Sequence, residues 1–317
     1  MKILIIHNFY SNTGGEDLRV IKTSEILRDS GHTVVECYRR SAETRGVVDL
    51  FRAFLGLFFS YQSFVEVKKI IQREKPDVVV VFNVFPLLSP SVYMALKISK
   101  IPTIQMVANF RLAHTVKDIF RIAGAAASGK NLGQAFLDCG YCSINDVIYG
   151  SIAILYKSLG AFSFLSCYIT PSEFMRQRLI ESGISRFAVE AIVNPLLSYK
   201  RQVRFKKNKK YDINFSGRLS YEKGVDVLLS SLGHDFDGKI VIIGDGPERK
   251  KLEDIATTYK LSVNFLGKKT HSETLRYLRS ADICIVPSRW QEPFGNIILD
   301  AMSSGALVIA ADIGGIP

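Results

Sequence analysis

Ile283-Cys284-Ile285-Val286-Pro287-Ser288-Arg289-Trp290-Gln291-Glu292-Pro293-Phe294-Gly295-Asn296, continuing through Leu299, Asp300, Ala301 and Met302 to Gly305, decides how this chain is read. The run Ile283–Pro287 is apolar and largely β-branched, and a proline closes it, as expected of a strand buried on both faces. The segment after Asn296 carries apolar residues at helical spacing and stops at a glycine. Between them lies a polar loop holding one carboxylate, Glu292. A second, Asp300, follows eight residues later, a turn or more into the helix whose N-terminus Gly295 and Asn296 form. Open parallel sheets bind ligands outside the carboxyl ends of their strands. A carboxylate there accepts hydrogen bonds from hydroxyls, and amides at a helix start hold phosphate. Spacing alone leaves open that the pair is an N-terminal charge and a surface residue.

The same strand, loop and helix unit recurs outward from this stretch. Asp212–Ser216, Lys239–Ile243 and Ser262–Phe265 precede it, and Leu307–Ala310 follows. Toward the N-terminus the strand candidates are Lys2–His7, Thr33–Cys37, Asp77–Phe82, Thr103–Val107 and Ser166–Thr170, with helical patterns between them such as Leu18–Ser30 before Gly31. Alternation of this kind predicts parallel sheets with crossover helices. Asn194-Pro195 and the basic run from Lys200 to Lys210 interrupt it, and such a run is ordinarily a solvated linker. The fold class is therefore α/β: two doubly wound parallel-sheet domains, 1–195 and 196–317.

Composition agrees with this and narrows the function. The chain has 317 residues, 47% hydrophobic and 22% charged, which excludes disordered, collagenous and coiled-coil classes. Five cysteines in this length are no disulfide scaffold and favour a reducing compartment. The start has no signal-peptide core, and the greasiest stretch, Leu50 to Phe64, is interrupted by Arg52 and Gln62 and is too short to span a bilayer. Phe51, Phe54, Leu55, Phe58 and Phe59, with Arg39, Arg40, Arg45 and Arg52 near them, fit either a core-facing helix or one lying on a membrane surface. A cytoplasmic protein peripheral to the inner face of the membrane is the resulting expectation. The formal charge of +11 asks for an anionic partner. Nucleic acid is not expected, because the basic run holds few aromatics beyond Phe205 and no nucleic-acid motif accompanies it.

The same rule applies to the other loops. After the first strand, Gly14 and Gly15 lead into a helix, as a substrate loop or a plain turn would. After Asp212–Ser216 comes Gly217-Arg218-Leu219-Ser220-Tyr221-Glu222-Lys223-Gly224, where two cations at a strand end suit a diphosphate, or are simply solvated. Gly244-Asp245-Gly246-Pro247-Glu248 reads as turn chemistry. Asp235-Phe236-Asp237 precedes a strand, the wrong end for a metal-binding D-x-D, and is read as a loop. Cys139 and Cys142 lack a second pair at zinc spacing, and His7, His32, His114, His234 and His271 are scattered, so no metal site is expected.

Taken together, these segments resemble the retaining nucleotide-sugar glycosyltransferases of family 4, which have the GT-B fold: two Rossmann-like domains facing a cleft. Glu292-Pro293-Phe294-Gly295…Asp300-Ala301-Met302…Gly305 carries the resemblance most specifically. Gly217-Arg218…Glu222-Lys223-Gly224, Gly244-Asp245-Gly246-Pro247-Glu248, Gly314-Gly315, Asn8-Phe9-Tyr10, Gly14-Gly15-Glu16 and Pro171-Ser172-Glu173 support it in order and spacing. The resemblance implies that Arg218 and Lys223 bind the donor diphosphate beside Gly217. It implies that Glu292 holds the transferred sugar near Phe294, Gly295 and Asn296, and that Asp300 holds the ribose. Gly14, Gly15 and Asn109 would serve the acceptor side. No cofactor or metal is implied, and the partners are a nucleotide sugar and a glycan or lipid-linked acceptor. The sequence departs from the family at Asp300, usually Glu, and at Ala108, often His; the latter supports the alternative of a weak or inactive relative that binds a nucleotide sugar or a partner protein. The ending Gly314-Gly315-Ile316-Pro317 reads as a C-terminally shortened second domain.

Overall fold

The computed structural model describes residues 1–10, 14–40, 56–128, 135–136, 139, 144–195 and 210–317. Phe51, Phe54 and Leu55 of the aromatic stretch, Cys142 and most of the basic run lie outside the described residues. The chain divides into two compact units, Met1–Pro195 and Leu196–Pro317.

The first unit runs β1 (Lys2–Phe9), α1 (Gly15–Asp29), β2 (Thr33–Arg40), α2 (Tyr61–Glu74), β3 (Val78–Val81), α3 (Ser91–Ser99), β4 (Thr103–Met106), α4 (Val116–Ala127), α5 (Ile144–Ser158), β5 (Cys167–Thr170), α6 (Glu173–Glu181) and β6 (Val189–Ala191). Its six strands are parallel in the order β2-β1-β3-β4-β5-β6. Leu4, Ile5 and Ile6 are wholly buried because helices cover both faces of the sheet, which is why β1 reads as a continuous apolar run. β2 extends three residues past its expected end at Cys37. Tyr38, Arg39 and Arg40 pair in register with His7, Asn8 and Phe9; Arg39 is also tied to Glu66 of α2, and Arg40 lies over the Phe9 ring. α1 starts at Gly15 rather than Leu18, since its first turn, Gly15-Glu16-Asp17, is polar and hides the helical period. β6 was missed: it is three residues long, on the sheet edge, and exposed at Glu190 and Ala191.

The second unit runs β7 (Tyr211–Ser216), α7 (Val225–Leu232), β8 (Lys239–Ile243), α8 (Arg249–Thr258), β9 (Ser262–Phe265), α9 (His271–Arg279), β10 (Ala281–Val286), α10 (Asn296–Ser303) and β11 (Leu307–Ala310). Its parallel order is β11-β10-β7-β8-β9, with Ile213 in register with both Ile240 and Ile283. β10 ends at Val286 because Pro287 has no N–H for the ladder. Asp235 and Asp237 lie in the loop entering β8. Pro247 stands outside its helix, which begins at Arg249 after the N-cap Glu248.

Topology selects one loop cluster in each unit. From β1 the chain steps to β2 on one side, then continues from β3 on the other. From β7 it steps outward to β8 and β9, then returns to β10 on the opposite side. The strand order thus reverses between β1 and β3 and between β7 and β10, where open α/β sheets leave room for ligands at the carboxyl ends.

Candidate active site

In the second unit, the reversal between β7 and β10 brings together the two segments singled out in the sequence. Beyond β7, Gly217 and Arg218 lead into a 3-10 turn, Tyr221–Lys223, and Gly224 caps α7. Beyond β10 the chain runs through Ser288 and Glu292 to Gly295, the N-cap of α10. Lys223 Nζ donates to Glu292 Oε1 at 2.5 Å, and Ser288 Oγ donates to the same oxygen at 2.9 Å. Glu292 is only 7% exposed, so its charge needs these donors. Lys223 Nζ also lies 5.6 Å from the centre of the Trp290 ring.

Arg218 is the open cation of the cluster. Its side chain is 61% exposed and its Nη2 donates to Glu222 Oε1 at 2.8 Å, an oxygen that Ser220 Oγ also reaches at 2.6 Å. Arg289 locks the two segments together: its guanidinium forks onto Asp226 at 2.7 and 2.9 Å, and its backbone N–H donates to the Glu222 carbonyl. Phe294, Gly295 and Asn296 are half-buried at the start of α10. Asp300, 7% exposed, is a turn into that helix and lies 3.0 Å from His271 Nε2, the first residue of α9. Bonding to Asp300 raises the His271 pKa above its ordinary 6.5, against the opposing effect of burial. Gly315 N–H donates to the Glu292 carbonyl at 2.7 Å, so the Gly314-Gly315 turn braces the backbone beneath this carboxylate.

The first-unit candidates gather at the reversal between β1 and β3. Asp17 organises the loop after β1: it accepts from Gly14 N–H at 2.9 Å and from Tyr10 N–H, and faces His7 Nε2 at 2.9 Å. The Gly14 amide is therefore already engaged. Asn109 Oδ1 accepts from Arg111 N–H, and its Nδ2 points to Glu16 Oε2 at 3.4 Å. Asn109, Ala108 and Glu16 line a small open pocket with Arg111 at its wall. His114 is not among its lining residues; it is 1% exposed, and burial, with Arg178, Arg111 and Lys157 adding to it, lowers its pKa to about 3.

Sequence reasoning missed Ser288, Glu222, His271 and Arg111. Ser288 and Glu222 lay inside the quoted loops, each next to a charged group in need of a donor or acceptor. His271 stands 29 residues before Asp300, and only the fold joins them.

Two parallel α/β sheets, each with its polar cluster at the strand-order reversal, constitute the fold of GT-B glycosyltransferases. Over residues 199–317 the chain matches the family described as Glycosyl transferases group 1. An uncharacterised glycosyltransferase of Methanocaldococcus jannaschii is 30% identical over 55% of this chain and 52% of its own length; the match thus spans about half of that relative. An uncharacterised 42.6 kDa protein in the cps region of Klebsiella pneumoniae is 23% identical over 100% of this chain and 86% of its own. Among solved structures, the lipopolysaccharide outer core galactosyltransferase WaaB superposes with a TM-score of 0.63 at 16% identity, over 100% of this chain and 82% of that one. Anabaena HepE in complex with UDP and glucose gives 0.62 at 18% identity, over 99% and 82%.

Proposed function

We propose that this protein transfers a sugar from a nucleotide diphosphate sugar to a glycan or lipid-linked acceptor, with retention at the anomeric carbon, as a family 4 enzyme of polysaccharide or glycoconjugate biosynthesis. The observation that carries this reading is the buried Glu292 held by Lys223 and Ser288 beside the start of α10. In it, Arg218 and Lys223 face the donor diphosphate alongside Gly217, in place of a metal ion. Glu292 accepts hydrogen bonds from the transferred sugar, Phe294, Gly295 and Asn296 lie along it, and Asp300 takes the ribose hydroxyls. Gly14, Gly15 and Asn109 serve the acceptor.

The chemistry breaks the bond from the anomeric carbon to the diphosphate and forms one to the acceptor oxygen on the same face, the acceptor proton passing to the departing phosphate. Chain groups then contribute positioning and charge stabilisation of that phosphate. UDP complexes of HepE and the transferase names among the relatives support a nucleotide-sugar donor. Peripheral attachment to a membrane completes the reading; among the described residues no helix is long and apolar enough to cross one.

Isothermal titration with UDP, GDP and their sugars, with and without EDTA, is the test. Wild type binds at least one of these below millimolar concentration without a metal, and Glu292→Ala and Lys223→Ala each weaken it at least tenfold. No binding at millimolar concentration refutes the reading. Ala108, lining the first-unit pocket where relatives often carry histidine, favours a second reading: nucleotide-sugar binding without transfer. Turnover of donor with acceptor present ends that alternative.

A further inference from the structure

Asp300 stands at the seam between α9 and α10, and both sides of that seam are fixed. Leu275 and Leu278 of α9 are buried in one apolar cluster with Ala301 of α10 and with Cys284 and Val286 of β10, so the two helices rest on the same face of the sheet. The end of α9 nearest Asp300 is set by a capping box. Thr270 N–H and Oγ1 both donate to Glu273 Oε2, at 2.9 and 2.7 Å, and Thr270 Oγ1 accepts from Glu273 N–H at 3.3 Å. His271 is the first residue of the turn so fixed, and its Nε2 reaches Asp300 Oδ2 at 3.0 Å. The pair is not closed: among the described residues His271 is the sole side-chain donor to Asp300, and Oδ1 accepts from none. Cys284 faces Asp300 from β10, but burial pushes its thiol up to about 12, so it brings no charge to the seam. Bonding to Asp300 outweighs burial in raising the His271 pKa, as an imidazole donating to a carboxylate does. A half-buried charge pair recovers its desolvation only when the remaining lone pairs are also used, so a pair that merely stapled two helices would leave Oδ1 unexplained.

We infer that His271 is a positioning residue for the nucleotide's ribose: by holding Asp300 Oδ2 it leaves Oδ1 set to accept from a ribose hydroxyl. The inference rests on the donor reading above and adds the group that makes an aspartate sufficient at this place. Aspartate is one methylene shorter than glutamate, so its carboxylate stays close to its own helix and cannot extend toward a ligand. Its terminal torsion is broad, and nothing else among the described side chains chooses an orientation for it. A donor fixed in advance by the α9 capping box makes that choice before the nucleotide arrives, which lowers the ordering cost of binding. His271 thus acts through Asp300 and does not itself touch the ligand.

The test titrates the full chain with UDP and GDP and with their 2′,3′-dideoxy analogues by calorimetry, and reads the preference for ribose as the ratio of the two affinities. Wild type prefers the ribonucleotide about tenfold or more, the worth of a hydrogen bond to a charged acceptor, and Asp300→Ala abolishes the preference. His271→Ala lowers it about threefold to tenfold, by freeing the carboxylate, while the dideoxy analogue still binds and so reports a folded site. His271→Gln, which returns a donor on a flexible stem, recovers part of the loss. The decisive variant is the double change His271→Ala with Asp300→Glu: the longer acid reaches the ribose without help, and the preference returns to within about twofold of wild type, a coupling that independent sites do not show. A merely structural histidine gives a different pattern, in which ribo- and dideoxynucleotide affinities fall together and Asp300→Glu restores neither. That pattern, or a preference that ignores His271→Ala, overturns the inference and leaves the donor reading standing. If neither UDP nor GDP binds, the donor reading itself fails, and the inference with it.

Discussion

Gly224 is the position where a single methyl group tests how the second-unit site is held. It has φ +67°, and a Cβ built on it falls 2.0 Å from the Pro287 carbonyl oxygen, a backbone atom of the loop that carries Ser288 and Glu292. Gly267 is the matched control: its φ is +68°, but its nearest neighbour is the flexible end of Arg249 at 3.5 Å, an ordinary contact. Left-handed backbone costs a non-glycine residue about 1–2 kcal/mol. Gly267→Ala pays only that. Gly224→Ala adds the cost of forcing two backbones apart, typically about 1–3 kcal/mol. At roughly 4–8 °C per kcal/mol for a domain of this order, Gly267→Ala lowers the second unit's Tm by about 4–16 °C and Gly224→Ala by roughly twice as much. Since Lys223 precedes Gly224, separation of the loops also pulls Lys223 from Glu292, and Gly224→Ala loses nucleotide binding that Gly267→Ala keeps. Scanning calorimetry and UDP or GDP titration on both variants read these effects. Equal Tm losses, or unchanged nucleotide affinity in Gly224→Ala, refute the claim that this close approach registers the site.

Three further outcomes follow from the charged groups. Arg289→Ala removes the fork on Asp226 and destabilises by about 1 kcal/mol; hydrogen bonds from Arg289 hold the Asp226 pKa below its ordinary 3.8, so their stabilisation is present above that pH and fades as pH falls through the folded value, and acid denaturation curves of Asp226→Asn show a shallower slope there. His271 carries a raised pKa, so the stability it contributes is complete below 6.5 and is lost as pH rises through the folded value; NMR titration of its ring shows that elevation in wild type, and Asp300→Asn abolishes it. His114 has the opposite sign: with a folded pKa near 3 it takes up its proton first in the unfolded chain, so stability is full above 6.5 and falls between 6.5 and 3, and His114→Gln flattens denaturant-measured stability across that window.

The sequence was most legible where one strand, one loop and one helix follow each other without interruption. Strand β10, the N-cap at Gly295 and helix α10 lie close to where Ile283–Gly305 puts them, because apolar period, proline and glycine all act within a few residues. The pairing of Lys223 with Glu292 was not legible. The residues are 69 apart, and their meeting depends on the return of β10 to the far side of β7, a choice made by the whole sheet. The same holds for His271 with Asp300 and Arg111 with Asn83. In the first unit the local signal itself was weaker: an arginine is ordinarily exposed, and only the partners Tyr10, Asn83 and Asp146, drawn from three other segments, make the buried position of Arg111 tolerable.

The charge surplus and the candidate site are separate matters. A net charge of +11 invites the idea that an anionic donor is drawn by excess positive charge. Yet the cations of the β7–β10 cluster already have carboxylates: Lys223 has Glu292, Arg218 has Glu222 and Arg289 has Asp226. Such a site does not advertise a strong field at long range. Its positive groups are held in place by partners that are themselves fixed by Ser288 and Ser220, and a diphosphate would enter by sharing those donors. Affinity then depends on short-range geometry: the partly buried Lys223–Glu292 pair is screened far less than an exposed one, and the salt dependence that remains comes from Arg218, whose side chain is 61% exposed. The unpaired surplus belongs elsewhere on the chain, where it bears on solubility and on any anionic surface the protein approaches, and it says nothing about the chemistry at Glu292.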